Sequence, residues 1–407
     1  MLLGGATVLR FRMLAVAAVA VAGTLLAGGT VPVQPAIAAG ARAPGPAIGG
    51  GVVLAGVSCT SVSFCVAVGS HQTAAGRSWA GLSELWNGQR WVTEAVPGRP
   101  QRGLVTSPGE VACGGPASCV LVGDHYQVAA APSMVAESGG GATWSITQWT
   151  DPHGAKMGWL GDVSCAGPSF CMAVGADSAS GFAAEHAFAE LWAGRSWLRL
   201  SPPGPARARW SELGGLSCVS ATDCVAVGGY QNSARRVLGF ADTWNGHGWA
   251  LAATPSAPGA RQTIFNAVSC ASATTCMAVG YGAGPGERQL AERLSGGRWR
   301  LTSLPRSGSS LLGGVSCPAI TLCVATGRAG HAALGELWDA GAWRALRMPR
   351  LTGTRTWAEL SHVSCVAAAH CVAVGFRFDP KARDSDRSLA EVWDGHGWRI
   401  QATVNPS

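Results

Sequence analysis

Val57-Ser58-Cys59, followed after five intervening residues by Cys65-Val66-Ala67-Val68-Gly69, is the stretch on which the fold is decided. The same Cys-x5-Cys spacing returns at Cys113/Cys119, Cys165/Cys171, Cys218/Cys224, Cys270/Cys276, Cys317/Cys323 and Cys365/Cys371, and these seven pairs use all 14 cysteines. The first cysteines are 54, 52, 53, 52, 47 and 48 residues apart. A near-constant period of that length, built of strand-like segments, means a propeller or a solenoid.

Further landmarks repeat with the cysteines. An acid stands two residues before a tryptophan, as in Glu84-Leu85-Trp86, and a W-x-G-x-x-W turn follows, as in Trp86-Asn87-Gly88-Gln89-Arg90-Trp91. The turn recurs at Trp192/Trp197, Trp244/Trp249, Trp338/Trp343 and Trp393/Trp398, and is degenerate at Leu294/Trp299 and around Trp144. Short Val- and Trp-rich runs separated by Gly, Ser, Asn and Asp read as strands joined by tight turns. The expected fold class is therefore all-β: a seven-bladed β-propeller with four antiparallel strands and one Cys-x5-Cys disulfide per blade. Blades are expected to start near residues 55, 109, 161, 214, 266, 313 and 361. An open solenoid would need capping units with a polar outer face. Here the first and last units match the middle ones, which favours a closed ring. The last unit runs through its own fourth strand, Trp398 to Val404, so no strand exchange is legible at the closure.

Apolar residues are 47% of the 407 and charged residues 13%, which excludes disorder and allows a large core. Arg10 and Arg12 precede an apolar stretch from Met13 to Ala27 and a small-residue region ending Ala36-Ile37-Ala38. This reads as a secretory signal over 1–38, cleaved after Ala38, then a flexible leader over 39–51 and the propeller over 52–407. An uncleaved anchor is the alternative, although the apolar stretch is short for a membrane span. The expected protein is a monomer, secreted or held in the cell envelope, touching membrane only if the signal stays attached. Loss of the signal takes two arginines and no acid from a formal charge of +7, leaving +5 without any basic run. Nucleic-acid binding, which needs a concentrated basic stripe, is excluded.

The cysteine pairs have a metal reading, but zinc sites favour C-x2-4-C spacing with added ligands, and no repeated histidine accompanies them. Export makes them structural disulfides and leaves no thiol nucleophile. In Cys-Val-Ala-Val-Gly the valines fill one sheet face, and Ala and Gly leave room for the adjoining blade. The acid is present in every unit, at Glu84, Glu137, Glu190, Asp242, Glu292, Glu336 and Glu391. Seven equivalent carboxylates around a ring are a structural device, whereas an active site uses one constellation. The paired tryptophans read as packing, with sugar-stacking rings as the alternative.

The Ser-Cys-x5-Cys-x-Ala-Val-Gly unit with its W-x-G-x-x-W turn resembles the repeats of exported actinobacterial β-propellers and is similar in layout to BNR/Asp-box and kelch-type propellers. Glu137-Ser138-Gly139-Gly140-Gly141-Ala142-Thr143-Trp144 is like an Asp-box hairpin without its Asp. The resemblance covers 52–404 and implies a fold, not an activity. The arginine cluster and Tyr/Glu pair of Asp-box sialidases have no counterpart here. Nor does the Tyr crosslinked to a free Cys of kelch-type copper oxidases, because every Cys is paired and the tyrosines are Tyr126, Tyr230 and Tyr281 alone.

Function is to be sought where the units differ. The residues after each Val-Gly vary, and they fall on the face that carries the second-to-third-strand loops and the links between blades. The densest mix of aromatic and hydrogen-bonding groups is Tyr230, Gln231, Asn232, Arg235 and Tyr281, helped by Trp210, with His125 and Tyr126 in the second unit. Such groups suit a protein, peptide or glycan ligand. Glu287 and Arg288, Arg328, and Asp379 to Arg383 lie in the same class of loops. No G-x-S-x-G, H-E-x-x-H or phosphate-cradling loop is present, and no cofactor or metal is expected. Asp379, Asp384 and Asp386 fit no calcium loop. The reading is a non-enzymatic binding scaffold. The alternative is an extracellular hydrolase or lyase, which would need two carboxylates or His/Asp groups converging in a pocket or in the central channel.

Overall fold

The computed structural model describes residues 51–404 apart from 73–78, 95, 97–103, 117, 128–132, 140–143, 148–156, 179–184, 193, 195, 256–258, 285, 352–355 and 379–385. The signal segment, most of the leader, and Asp379 and Asp384 therefore lie outside the described residues.

Unit one is β1 (Val52–Ser61), β2 (Phe64–Gln72), β3 (Trp79–Trp86) and β4 (Trp91–Glu94). Unit two is β5 (Leu104–Gly115), β6 (Ser118–Gln127), β7 (Ser133–Gly139) and β8 (Trp144–Thr147). Unit three is β9 (Met157–Gly167), β10 (Phe170–Ser178), β11 (His186–Trp192) and β12 (Trp197–Leu200). Unit four is β13 (Trp210–Ser220), β14 (Asp223–Gln231), β15 (Val237–Trp244) and β16 (Trp249–Ala252). Unit five is β17 (Gln262–Ser272), β18 (Thr275–Ala283), β19 (Glu287–Ser295) and β20 (Arg298–Leu301). Unit six is β21 (Ser310–Ala319), β22 (Leu322–Ala329), β23 (Ala332–Asp339) and β24 (Ala342–Ala345). Unit seven is β25 (Trp357–Ala367), β26 (His370–Phe378), β27 (Asp386–Trp393) and β28 (Trp398–Gln401).

Each unit is an antiparallel meander paired in chain order. The seven meanders make six sheets, not seven, because one parallel bridge between Val237 and Gln262 fuses units four and five into an eight-stranded sheet. That bridge forms where a second-to-third-strand turn and an interunit link end side by side. Each first strand lies against the first strand of the next unit, and β25 lies against β1, so the ring is closed.

The sequence pattern explains the packing. Val66 and Val68 of unit one pack on Cys119 and Leu121 of unit two, and Val225 and Val227 of unit four on Cys276 and Ala278 of unit five. The closure uses the same plan: Val372 and Val374 of unit seven meet Cys65 and Ala67 of unit one. Large residues on one sheet thus fill the space left by small ones on its neighbour. The Ala of the motif does leave room for the adjoining unit. The Gly serves another purpose: a Cβ on Gly69 would run into the carbonyl of Val53, and one on Gly375 into that of Glu359. Both carbonyls sit beside a bulge in the first strand, at Leu54/Gly56 and Leu360/His362.

All seven disulfides close within their own hairpin, and no free cysteine remains. They join Cys59 to Cys65, Cys113 to Cys119, Cys165 to Cys171 and Cys218 to Cys224. Cys270 joins Cys276, Cys317 joins Cys323, and Cys365 joins Cys371. The second cysteine of each pair is also a core residue. Cys171, Cys224, Cys323 and Cys371 are buried, like Cys65, Cys119 and Cys276, and each packs in a cluster with apolar residues of an adjoining unit.

The serine before the first cysteine clips unit to unit. Ser58 accepts the amide of Cys113 at 3.0 Å, Ser164 that of Cys218 at 2.9 Å, and Ser217 that of Cys270 at 3.0 Å. Ser269 holds Cys317 at 2.9 Å, Ser316 holds Cys365 at 3.0 Å, and Ser364 closes the circle onto Cys59 at 3.0 Å. Unit two has Ala112 at this position, with no hydroxyl to offer Cys165.

The W-x-G-x-x-W turn is also explained. Asn87 Oδ1 accepts the amides of Gln89 and Arg90, and Asn245 and Asp394 repeat the arrangement. Gly88, Gly246 and Gly395 have φ of 87°, 89° and 91°, a backbone that favours glycine. The flanking indoles pack 5.7 Å apart at Trp86/Trp91 and Trp244/Trp249, and 5.8 Å apart at Trp393/Trp398. The first indole N–H donates to the disulfide hairpin, at Val62, Ala221 and Ala368. The tryptophans are packing and stapling groups.

Candidate functional site

The second-to-third-strand turns and interunit links share one face of the ring. In unit four this turn is built by its own side chains. The Asn232 amide donates to the Arg236 carbonyl, its carbonyl accepts the Arg235 amide, and its Oδ1 accepts the Arg236 amide at 3.0 Å. Gln231 Nε2 reaches the Arg235 carbonyl at 3.5 Å, and Arg235 takes a φ of 62°. Gln231 and Asn232 thus spend their amides on the turn, while Arg235 and Arg236 are exposed. Tyr230 is half-buried, edge-on to Phe240 at 5.9 Å. Tyr281 is 7% exposed and clusters with Val237 and Ile264, with Trp210 packed against them. The structure brings Trp210 and Tyr281 together beneath the surface and leaves the arginines to meet solvent. His125 and Tyr126 lie on β6 opposite Thr106 and Val105, and their side chains lie outside the described residues. The disulfides are remote from this face. Cys171, Cys224, Cys323 and Cys371 stand at the start of the second strands, whose far ends carry the irregular turns, so the cysteines hold the scaffold and contribute nothing to the site.

A cavity of about 510 Å³ opens on this face at unit five. Glu287, Arg288 and Gln289 of β19 form one wall, and Arg306, Ser307 and Ser309 of the link to β21 form the other. Gln289 fixes the link in place, its Nε2 donating to the Pro305 carbonyl at 2.7 Å and to Glu336 Oε1 at 3.0 Å. Ser307 bonds Ser310 at 3.0 Å. Glu287 is held by Arg328 at 2.7 Å, which also reaches Glu359 at 3.4 Å and ties units five, six and seven.

A second polar cluster sits among the first strands that line the centre. His362 Nε2 lies 3.7 Å from Glu110 Oε2, and His362 Nδ1 lies 3.1 Å from the Val57 carbonyl. Asp162 accepts the amides of Val163 and Leu216, both at 2.7 Å. Burial, and then the Glu110 charge, push the Asp162 carboxyl up to about 7. These groups converge as an active site would, but Asp162 and His362 are engaged with backbone at unit interfaces. Sequence reading passed over them. The signal was present: the residue three before the first cysteine is Gly or Ala in units one, four, five and six, and Glu110, Asp162 and His362 elsewhere.

The repeated acids are buried between units. Burial pushes Glu84, Glu292 and Glu391 up to about 8, Glu190 and Glu336 to about 7, and Asp242 to about 6. Glu84 accepts the amide of Val404 at 3.4 Å, another bond across the closure. The Glu137 side chain lies outside the described residues. The native state therefore holds protons that the unfolded chain releases near its ordinary carboxylate range. Stability from this source is complete below that range and is lost as pH rises through 6 to 8. The buried His71 and the half-buried His370, whose pKa burial lowers, act in the opposite sense below about 6.5. Thermal melts should accordingly show the melting temperature falling from pH 6.5 to pH 8.5, and Glu292→Gln flattening that fall. A melting temperature that rises across this interval would refute the assignment.

No protein-family model matches the chain, and no curated protein matches it. Solved structures do. YCF48 from Cyanidioschyzon merolae is 14% identical with a TM-score of 0.53, covering 84% of this chain and 96% of that one. YCF48 bound to D1 peptide is 11% identical at 0.50, covering 81% and 92%, and the RRP9 WD40 repeats are 11% identical at 0.50, covering 79% and 86%. Likeness at this identity shows the fold. The chain is a β-propeller. In this propeller the repeated residues build the ring and the interfaces. Residues that differ between units line the unit-five cavity, build the unit-four turn and form the Glu110/Asp162/His362 cluster.

Proposed function

We propose that this chain is an exported, seven-bladed binding scaffold, each meander being one blade, which recognises an extended segment of a partner protein through its irregular face. The observation that carries the reading is the unit-five cavity, preformed by Gln289 and opening where the repeats diverge. A propeller of similar fold is known bound to D1 peptide, which supports a peptide as the class of ligand. Seven disulfides fit an oxidising compartment and support the signal over residues 1–38. A glycan is the weaker reading, since the rings of Tyr230, Tyr281 and Trp357 pack against other residues instead of standing free as stacking platforms. Hydrolase or lyase chemistry in the central channel is weaker still, given the backbone engagement of Asp162 and His362.

The test is a positional-scanning array of decapeptides probed with the disulfide-intact protein. Peptides should be captured by the native chain and by His247→Ala on the opposite face, and lost with Arg235→Ala/Arg236→Ala or with substitutions at the cavity. Capture that survives every change on the irregular face but fails in His247→Ala would overturn the assignment of faces.

A further inference from the structure

We infer that the unit-five cavity is a subsite for a carboxylate side chain, so that the partner segment this propeller takes is an acidic peptide; the inference rests on the binding reading above. Arg288 and Arg306 stand on opposite walls of the cavity, both exposed. Neither makes an ion pair among the described residues. The one carboxylate in the lining, Glu287, is already held by Arg328. Two guanidinium groups without partners, facing one concavity, form the planar donor arrangement that suits carboxylate.

The wall formed by the link adds donors. The backbone amides of Arg306, Ser307, Gly308 and Ser309 donate to no acceptor among the described residues. Gly308, in the same wall, has a φ of 68°, which turns the link sharply. Leu290, Leu304 and Pro305 supply an aliphatic wall for a side-chain stem. Among the described residues no aromatic ring lines the cavity, so a sugar ring would find no stacking partner, and this favours a peptide carboxylate over a uronate.

The site is peculiar to unit five. Three residues before the repeated acid the other units carry Gly81, Met134, Ala187, Gly239, Ala333 and Ser388, and unit five carries Gln289. At Gly239 a Cβ would run into the ring of Phe265, so that interface has no space for a long side chain. In unit five the long amide instead reaches the link and bonds it at Pro305.

Binding of fluorescein-labelled decapeptides rich in Glu and Asp should be followed by polarisation. Parallel arms use their Gln/Asn counterparts and an oligogalacturonate. The acidic peptides should bind, with affinity falling steeply as salt is raised, and the Gln/Asn counterparts should bind at least tenfold more weakly. Arg288→Gln/Arg306→Gln should lose tenfold or more with an unchanged melting temperature, while Arg261→Gln, outside the cavity, keeps affinity. Equal binding of acidic and amide peptides, or full affinity in the double variant, overturns the subsite and leaves the scaffold reading standing. Binding of oligogalacturonate but not peptide overturns the peptide assignment, and no binding of any peptide overturns both readings.

Discussion

Trp244→Ala is expected to cost about 3–5 kcal/mol of folding stability, as loss of a large buried ring does. The indole is 6% exposed and packs in one cluster with Met172, Leu213 and Phe240. Its N–H donates to the Ala221 carbonyl at 3.1 Å, so the change also frees the disulfide hairpin of unit four from its third strand. Urea denaturation should show a lower midpoint with an unchanged slope, because the same surface is exposed on unfolding. Trp249→Ala, at a half-buried position of the same turn, should cost less. Unchanged stability with loss of peptide capture would instead make these rings recognition groups.

Reduction should be more damaging still. Each disulfide closes a short loop between residues six apart. The chain-entropy account assigns roughly 2 kcal/mol to a loop of that size. Seven such terms are comparable with the whole net stability of an ordinary domain, about 5–15 kcal/mol. Incubation with excess dithiothreitol at 37 °C should therefore unfold the protein, seen as loss of the tryptophan near-ultraviolet signal. The double substitution Cys59→Ala/Cys65→Ala should leave it folded and about 2 kcal/mol less stable. A fully reduced protein that keeps its native melting temperature would show that the apolar interfaces suffice alone.

What repeats was legible, because a feature present in every unit must answer a need that every unit has. The Cys pairs, the acid before Trp and the W-x-G-x-x-W turn each marked a strand or hairpin, and each falls where expected. The burial of the second cysteines, as at Cys171 and Cys371, was not legible, because spacing marks a hairpin and not which of its sulfurs faces the neighbouring unit. The role of the motif glycine was read less well. Gly69 answers a bulge in the opposing strand, and a bulge depends on pairing register, which spacing does not reveal. The tyrosines show the same limit from the other side. Composition marked Tyr230 and Tyr281 as binding groups, but strand alternation turns Tyr281 inward, toward Val237 and Ile264. The cavity was out of reach for a different reason. Its walls come from β19 and from the link after β20, and nothing in either segment announces that Gln289 will hold Pro305.

The serine clips single out one joint of the ring. Around a closed ring a pulling force is shared, and the joint that yields first is the one with fewest ties. Six joints have a hydroxyl tying a cysteine amide to the next unit, and the joint between units two and three lacks it at Ala112. Ser118 to the Pro168 carbonyl, at 3.4 Å, is a longer bond near the rim. The molecule is thus a hoop of six matched joints and one that lacks the serine clip, and a circumferential pull is expected to part that joint first.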